Sequence, residues 1–274
     1  MRIYLNFVIF ALNRKSFDLK PLLSHRPFHD VLTAVTFVVV CGILVIAGVL
    51  AYRHFISTPP YVDPVKYPVK GIDVSAHNGD IDFSKVASEG FDFVFIKATE
   101  GKDFNDRNFK TNYDKARQAG LKTGVYHFFR FDREGVEQGM NFIRTVGTRR
   151  PPLGFVIDVE KSGNPDSIPP DIVKKRLFSM VDYLNLLGIR VMFYTNIEGY
   201  YDYIADTFPG FPLWICSFHN HPINAEWTFW QHNHHGEVSG IKGDVDINSF
   251  CGSREEWLAF LDGEVWPYTP PEKQ

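Results

Sequence analysis

The feature that most constrains the fold is a regular alternation of short apolar segments with helical patterns in the middle of the chain. The predicted strands are 71–74, 91–97, 121–129, 154–159 and 189–194. The predicted helices between them are 82–89, 105–119, 133–146 and 169–187, and Gly90, Gly120 and Gly188 directly follow the first, second and fourth, where they suit a helix C-terminus. Strands and helices in alternation predict a parallel sheet that is buried on both faces.

The spacing changes after residue 194. Three further strands are predicted at 213–218, 227–232 and 245–250, and no long amphipathic helix fits between the last two. We therefore predict an α/β fold, a modified TIM-like barrel of five β/α units followed by three strands. An open doubly wound sheet is the alternative, but no GxGxxG or GxxxxGK[ST] motif follows any predicted strand.

A second constraint is an uncharged stretch of 22 residues, 31–52. At about 1.5 Å per residue, a helix of this length spans roughly 33 Å, which is enough to cross a bilayer. Five of the six Lys and Arg residues in the first 54 positions precede it, and positive charge holds a terminus in the cytoplasm. The sequence therefore predicts a cytoplasmic segment 1–30, a transmembrane signal anchor 31–52 and an extracytoplasmic body, in the periplasm or at the cell surface.

Two other interpretations of this stretch are a buried core helix and a cleaved signal peptide. Residues 49–51 offer a small-residue cleavage site, but the apolar run is longer than the usual signal-peptide core of about 7–15 residues. Retention of the helix is therefore the prediction. The segment 53–68 is rich in proline and is predicted to form an extended stalk, followed by a catalytic barrel at 69–263 and a tail at 264–274.

The net charge of −3 is unevenly divided along the chain. Residues 1–54 have six basic and two acidic side chains, so the remainder has a net charge of −7. An acidic body without a basic stripe argues against nucleic acid as a partner, because phosphate binding requires clustered Lys and Arg. Cys216 and Cys251 would lie in an exported domain, where a disulfide is chemically possible. Two unpaired thiols are the expectation, with a bridge as the alternative.

Four acidic residues fall at or near the ends of predicted strands: Asp73, Asp158, Glu160 and Asp246. Side chains at i and i+2 share a face of a strand, so Asp158 and Glu160 project together. The C-terminal ends of barrel strands form the active site in enzymes of this architecture. Paired carboxyls there are suited to glycoside hydrolysis, in which one protonates the leaving oxygen. Because neighbouring negative charge raises a carboxyl pKa, we expect Glu160 beside Asp158 to stay protonated near neutral pH.

Aromatic side chains near the same strand ends would offer flat faces to sugar rings. Strand aromatics also commonly belong to the core, so about half of them are expected to touch a ligand. The candidate substrate-binding residues are Tyr126, Phe128, Tyr194, Trp214, Trp230 and Gln231.

A series of motifs between about residues 70 and 261 resembles glycoside hydrolase family 25, the Chalaropsis-type lysozymes. The motifs are GIDVS, FIKATEG, GLKTGVYHFF, FVIDVE, FYTN, PLWI, FWQH and VSGIKGDVDINSF, in this order. The resemblance implies N-acetylmuramidase activity without a cofactor, on the β-1,4 bond between N-acetylmuramic acid and N-acetylglucosamine of peptidoglycan.

The same resemblance implies roles for the acids. Glu160 matches the acid, and Asp158 matches a partner that either steadies the substrate's acetamido group or acts on the anomeric carbon. Asp73 and Asp246 match flanking carboxylates that hold Glu160 and the bound sugar. Asp244 alternates onto the same face, but the family's motif selects Asp246.

Two other functions stay open. A non-catalytic wall tether that binds peptidoglycan would use a similar cleft, although the retention of all four acids argues for catalysis. A metal-dependent polysaccharide deacetylase is suggested by histidines near Asp244, since imidazoles can bind zinc. These are His219, His221, His232, His234 and His235. They fall in a predicted loop without an i, i+4 helical pair, so no metal site is expected.

Overall fold

The computed structural model describes residues 28–57, 59–222 and 226–263, so the predicted tail and most of the predicted cytoplasmic segment lie outside the described residues. The chain divides into two units, Met1–Thr58 and Pro59–Gln274. The first unit contains helix α1 (Phe28–Ser57). Within α1, Leu32–Leu50 is long and apolar enough to cross a membrane, and none of it is buried. This helix meets the length and composition that the predicted anchor requires.

The second unit is a closed barrel. Eight strands follow one another around it in the order β1, β2, β4, β5, β6, β7, β8 and β9, while the short β3 pairs with β2 alone. Neighbours from β1 to β8 are parallel, and β9 is antiparallel to both β8 and β1. The strands are β1 (Lys70–Val74), β2 (Phe93–Glu100), β3 (Phe104–Asn105), β4 (Lys122–Phe128), β5 (Phe155–Asp158), β6 (Val191–Asn196), β7 (Leu213–Cys216), β8 (Phe229–Gly236) and β9 (Val245–Phe250).

Helices lie on the outside of the early strands. Four of them are α2 (Phe83–Ser88), α3 (Phe109–Gln118), α4 (Gly135–Val146) and α5 (Pro170–Leu186). Among the described residues after β6, a short α6 (Ile197–Gly199) and a π-helical turn (Tyr200–Ile204) come first, and α7 (Arg254–Asp262) follows β9. The closed sheet confirms the predicted barrel class and excludes the open doubly wound sheet. Because α6 is so short, five regular β/α units are not established.

Two local predictions differ from the structure. The helix predicted from residue 105 begins at Phe109, because Asn105 pairs with Thr99 in the β2–β3 ladder. Helix α7 was not predicted. Its start has a capping box in which Ser253 and Glu256 satisfy each other's backbone N–H groups, a signal that is visible in the sequence.

Aromatic rings fill the barrel interior because two glycines make room for them. A Cβ atom on Gly71 would lie 2.3 Å from the Phe93 ring, and one on Gly124 would lie 2.3 Å from the Phe95 ring. Phe95 in turn stacks on Trp214 with ring centroids 4.3 Å apart. Helix α7 closes the lower end of this aromatic core, so the strands' opposite ends form the accessible mouth of the barrel.

The end of the segment predicted as a stalk packs against the barrel. Tyr67 is 8% exposed, and its ring lies 5.3 Å from that of Trp227. Its hydroxyl forms a hydrogen bond of 3.0 Å with Nε2 of His221. Val62 also packs against the outer core. The packed barrel unit therefore starts before Val69, because an aromatic anchor precedes the first strand.

We expect Tyr67→Ala to lower the free energy of unfolding of a fragment beginning at Pro59 by roughly 3 kcal/mol, the scale for deleting a buried aromatic side chain. Tyr67→Phe keeps the buried ring and removes the hydroxyl that bonds to His221, which should cost about 1 kcal/mol. Tyr61 is 82% exposed, so Tyr61→Ala should change stability by less than about 0.5 kcal/mol. Urea denaturation measures all three. Equal effects of the Tyr67→Ala and Tyr61→Ala substitutions would contradict the assigned anchor.

Candidate active site

The four predicted acids meet at the mouth of the barrel. Asp73 lies near the end of β1, and Asp158 ends β5. Glu160 follows two positions later, within electrostatic range of Asp73. Asp246 lies directly opposite Asp73 in the antiparallel register of β1 and β9. We call the space bounded by these four carboxyls the cleft.

The loop that bears Glu160 is fixed by hydrogen bonds to its backbone. Nδ2 of Asn164 donates to the carbonyl oxygens of Glu160 and Phe129, at 2.9 Å each. The Thr195 hydroxyl donates to the carbonyl oxygen of Val159 at 2.6 Å. These contacts hold the chain on both sides of the Glu160 Cα atom, so the carboxyl is presented from a rigid support.

Burial dominates the electrostatics of Glu160 and Asp158. Burial, followed by the negative charge of Asp73, raises the pKa of Glu160 to about 7. The repulsion between Asp158 and Glu160 that the sequence predicts is present and acts on Asp158, and the charge of Asp73 acts on Glu160 in addition. Burial and then the charge of Glu160 raise the pKa of Asp158 well above its usual range, and Lys97 opposes both shifts. The pair therefore retains a proton near neutral pH.

One oxygen of Asp158 has no partner. Oδ1 is buried and receives no hydrogen bond from any residue that the structure describes. An unpaired buried carboxyl oxygen is costly, which is one reason that the neutral form of Asp158 is favoured. A ligand N–H group in the cleft could supply the missing donor.

Asp73 and Asp246 form a second coupled pair. Oδ2 of Asp73 accepts one hydrogen bond from Nε2 of Gln231 and one from Nδ2 of Asn248, each 2.8 Å long. Burial raises the pKa of Asp73 to about 6 against the effect of these donors. Burial and the nearby charge of Asp73 raise the pKa of Asp246 to about 8. Asp246 is therefore the member of the pair that holds its proton to higher pH.

The predicted aromatic residues divide between the inside and the outside of the barrel. Tyr194 and Trp214 point inward and pack against each other, with centroids 4.4 Å apart. Tyr126 contacts Trp214 edge to face and lies within electrostatic range of the cleft acids. Phe128 is partly exposed, 5.1 Å from Nζ of Lys97.

Trp230 and Gln231 occupy positions that differ from the expectation of direct substrate contact. Trp230 is fully buried on the outer side of β8, against Trp227 and His221, and so is not brought to the cleft. Gln231 faces the cleft, but it is buried and both ends of its carboxamide are engaged, by Asp73 and by the Tyr194 hydroxyl.

The histidines are dispersed. His232 bonds to Ser249 on the outer face of the barrel, and His221 bonds to Tyr67. His235 pairs with Asp244 on the exposed rim, beside the ring of His234. Across 59–222 and 226–263, no three His, Cys, Asp or Glu side chains come together as metal ligands would. The deacetylase alternative therefore gains no support from the described residues.

Cys216 and Cys251 are both free thiols. Cys216 ends β7 at the mouth, whereas Cys251 follows β9, which runs in the opposite direction and ends at the closed side of the barrel. Strand direction thus separates the two thiols, and the possible disulfide between them is not formed.

Sequence reasoning missed three residues of the site: Lys97, Asn164 and Asn248. Asn248 had a usable signal, because it lies two positions after Asp246 and so shares its strand face. Lys97 ends the apolar part of β2 on the same face as Phe93 and Phe95. Asn164 acts from a loop, and its contacts could not be read from the spacing of residues.

Comparisons with known proteins agree with this arrangement. The family model described as Glycosyl hydrolases family 25 matches residues 72–241. The chain is 33% identical over 226 residues to the uncharacterised protein YegX of Escherichia coli strain K12, covering 77% of this chain and 82% of that protein. It is 34% identical over 184 residues to the autolytic lysozyme of Clostridium acetobutylicum, covering 66% of this chain and 56% of that protein.

A solved structure gives the same result for the fold. The family 25 glycosyl hydrolase from Bacillus anthracis matches with a TM-score of 0.66 and 35% identity, covering 73% of this chain and 95% of that one. The family match and the solved structure identify the chain as a glycoside hydrolase. The chain belongs to glycosyl hydrolase family 25, as the motifs predicted.

The raised carboxyl pKa values give an expected pH dependence of stability. Asp246 has a pKa of about 8 in the fold, above its ordinary value of 3.8, so the folded state binds the extra proton. The stability contributed by this proton is complete below about pH 4 and is lost as the pH rises towards 8.

Asp246→Asn keeps a hydrogen-bond donor towards Asp73 but does not titrate. We expect it to raise the Tm more at pH 8 than at about pH 5, as measured by calorimetry. An equal shift at both pH values would contradict the assignment.

Proposed function

We propose that this chain is a membrane-anchored N-acetylmuramidase that hydrolyses the β-1,4 bond between N-acetylmuramic acid and N-acetylglucosamine in peptidoglycan. The main support is the convergence of Asp73, Asp158, Glu160 and Asp246 in one cleft of a family 25 barrel. The name of the autolytic lysozyme among its relatives supports the same substrate class.

Glu160 is the general acid in this proposal. A group that donates a proton near neutral pH needs a pKa close to that pH, and burial with the charge of Asp73 raises the pKa of Glu160 to about 7. Glu160 gives its proton to the glycosidic oxygen as the bond from that oxygen to C1 of the muramic acid breaks. Its carboxylate then accepts a proton from the water that attacks C1. The product has N-acetylmuramic acid at its reducing end.

Asp158 is the partner that acts on the acetamido group. Its Oδ1 lacks a donor, and the substrate's acetamido N–H would provide one. Accepting this bond stabilises the ionised form of Asp158, so the proton that the pair retains is held by Glu160 in the complex. The oriented acetamido oxygen attacks C1 while Asp158 takes the amide proton. When water adds to C1, the cyclic intermediate opens and Asp158 returns that proton to the acetamido nitrogen.

The alternative of a non-catalytic wall tether makes a different prediction about the acids. A tether needs a cleft that binds glycan, but it has no use for a carboxyl that stays protonated near neutral pH. Binding without turnover by the unaltered chain would favour the tether. Release of glycan fragments with muramic acid at the reducing end would favour the muramidase.

Glu160→Gln should lower kcat by about 10²- to 10⁴-fold while leaving glycan binding largely intact, because it removes the proton donor but keeps the shape of the side chain. Asp158→Asn should also be severe, since it removes the acceptor of the amide proton. Turnover of purified peptidoglycan and binding to it are measured separately. Near-normal turnover by the Glu160→Gln variant would contradict the assignment of Glu160 as the general acid.

Asp244→Asn is the matched control for the acid substitutions. Asp244 is exposed and pairs with His235 outside the cleft, so its loss should leave kcat within a few fold of the unaltered enzyme. Asp73→Asn and Asp246→Asn should have effects between those of Asp244→Asn and Glu160→Gln. A larger loss from Asp244→Asn than from Asp246→Asn would reverse the roles given to these two acids.

The membrane anchor is a further part of the proposal. The apolar length of α1 and the five basic residues before residue 31 support a single-pass orientation with the barrel outside the cytoplasm. Protease added to spheroplasts should then remove the barrel and spare the segment before α1, as detected with antibodies to each part. Protection of the barrel in intact spheroplasts would contradict this orientation.

A further inference from the structure

Two buried amides hold one carboxylate of the cleft. Asp73 is 8% exposed, and a single oxygen, Oδ2, accepts from both Gln231 on β8 and Asn248 on β9. Both amides are themselves buried, at 4% and 0% exposure. The three side chains belong to adjacent strands at the point where the barrel closes.

Each amide is oriented by an aromatic donor. Nε1 of Trp214 donates to Oδ1 of Asn248 at 2.7 Å, and the Tyr194 hydroxyl donates to Oε1 of Gln231 at 2.8 Å. An indole N–H can only donate, so the oxygen of Asn248 must face Trp214 and its NH₂ group must face Asp73. The chain of contacts therefore presents N–H groups to Asp73, which is the arrangement that stabilises a charged carboxylate.

Asp246 completes the arrangement from across the ladder. It lies opposite Asp73 in the register of β1 and β9, and the two carboxyls share a hydrogen bond. Such a bond requires a proton on one of the two. Asp73 already receives two N–H donors, whereas no other side chain among the described residues donates to Asp246. The proton therefore belongs on Asp246 and the charge on Asp73.

Titratable groups from the surrounding strands also reach this region. They are Lys97 and Glu100 on β2, Asp106 after β3, Tyr126 on β4, Asp158 at the end of β5, Glu160 two residues after it, Tyr194 on β6 and Cys216 on β7. Burial raises the pKa of both tyrosines and of Cys216, so these three stay neutral. Lys97 is the cation that opposes the raised pKa of Glu160. The charge that favours protonated Glu160 is that of Asp73.

We propose that Gln231 and Asn248 are positioning residues that keep Asp73 as the charged member of the Asp73–Asp246 pair, and that they thereby set the upper pH limit at which Glu160 still holds its proton. The statement about the pH limit of Glu160 rests on the proposed muramidase function. The statement that the two amides keep Asp73 charged, which we call the amide clamp, concerns the free enzyme and does not depend on that function. It also gives Gln231 a role other than the substrate contact that sequence reasoning predicted.

The test uses Asn248→Leu and Gln231→Leu, which keep similar bulk and remove the donor. With one of its two amide donors removed, Asp73 holds its own proton to higher pH, and less negative charge then acts on Glu160 from this position. The basic limb of the pH profile of kcat/KM on purified peptidoglycan should move down by about one pH unit in each variant. A lower kcat with an unmoved basic limb in both variants would mean that the amides have a merely structural role, and would overturn the proposal.

Ser249→Ala is the matched control. Ser249 is the next residue on β9 and is also buried, but its hydroxyl bonds to His232 on the outer face of the barrel. His232 has a pKa lowered to about 4 by burial, so it stays neutral over the range tested. This substitution removes a buried hydrogen bond of the same strand without touching Asp73. The basic limb of the kcat/KM profile of the Ser249→Ala variant should coincide with that of the unaltered enzyme.

A second measurement does not depend on activity. Raising the pKa of Asp73 makes the folded state lose more stability as the pH increases, so the destabilisation caused by Asn248→Leu should be larger at about pH 8 than at about pH 5.5. That caused by Ser249→Ala should be the same at both. Urea denaturation of the full chain in detergent gives these values. If Asn248→Leu destabilises the fold equally at both pH values, the role of the amides in keeping Asp73 charged is refuted. If the stability changes with pH as expected but the unaltered enzyme does not cleave peptidoglycan, only the muramidase function is refuted.

Discussion

The arrangement of the site depends on how β1 closes the barrel. This five-residue strand pairs in parallel with β2 on one side and antiparallel with β9 on the other. The closure sets Asp73 beside Asp246 and turns Gly71 towards the ring of Phe93. If β1 shifted by one residue, Asp73 would face the helices and Ile72 would face the cleft. The register of a single strand thus decides both the packing of the aromatic core and the composition of the cleft.

The same closure explains why the carboxyls are so perturbed. Beneath the acids lies a layer of aromatic rings that includes Phe95 and Trp214. Carboxyls above such a layer are desolvated, so their neutral forms are favoured and their pKa values rise together. The protein satisfies Asp73 with two amides and leaves Oδ1 of Asp158 without a donor. The unpaired oxygen of Asp158 lowers the stability of the folded protein, and such local costs are common at ligand-binding sites.

Much of this could be predicted from the sequence, because it depends on local periodicity. All eight barrel strands lie at their predicted positions, since short apolar runs between glycine-ended helices are hard to place elsewhere. The alternation rule also put Asp158 and Glu160 on one face. The missing parts depend on contacts between distant segments. Trp230 lies on the outer side of β8, Tyr67 packs on a loop more than 150 positions away, and Asn248 meets Asp73 only when the barrel is closed.

The direction of β1 has a consequence for where such an enzyme can work. The strand runs from Lys70 at the closed end to Val74 beside the cleft, so the chain joins the barrel at the end away from the acids. At about 3.3 Å per residue, five residues separate the two ends by roughly 17 Å. The chain that leads into β1 therefore enters the barrel at its base, and a ligand reaches the four acids from the opposite end, about one strand length away.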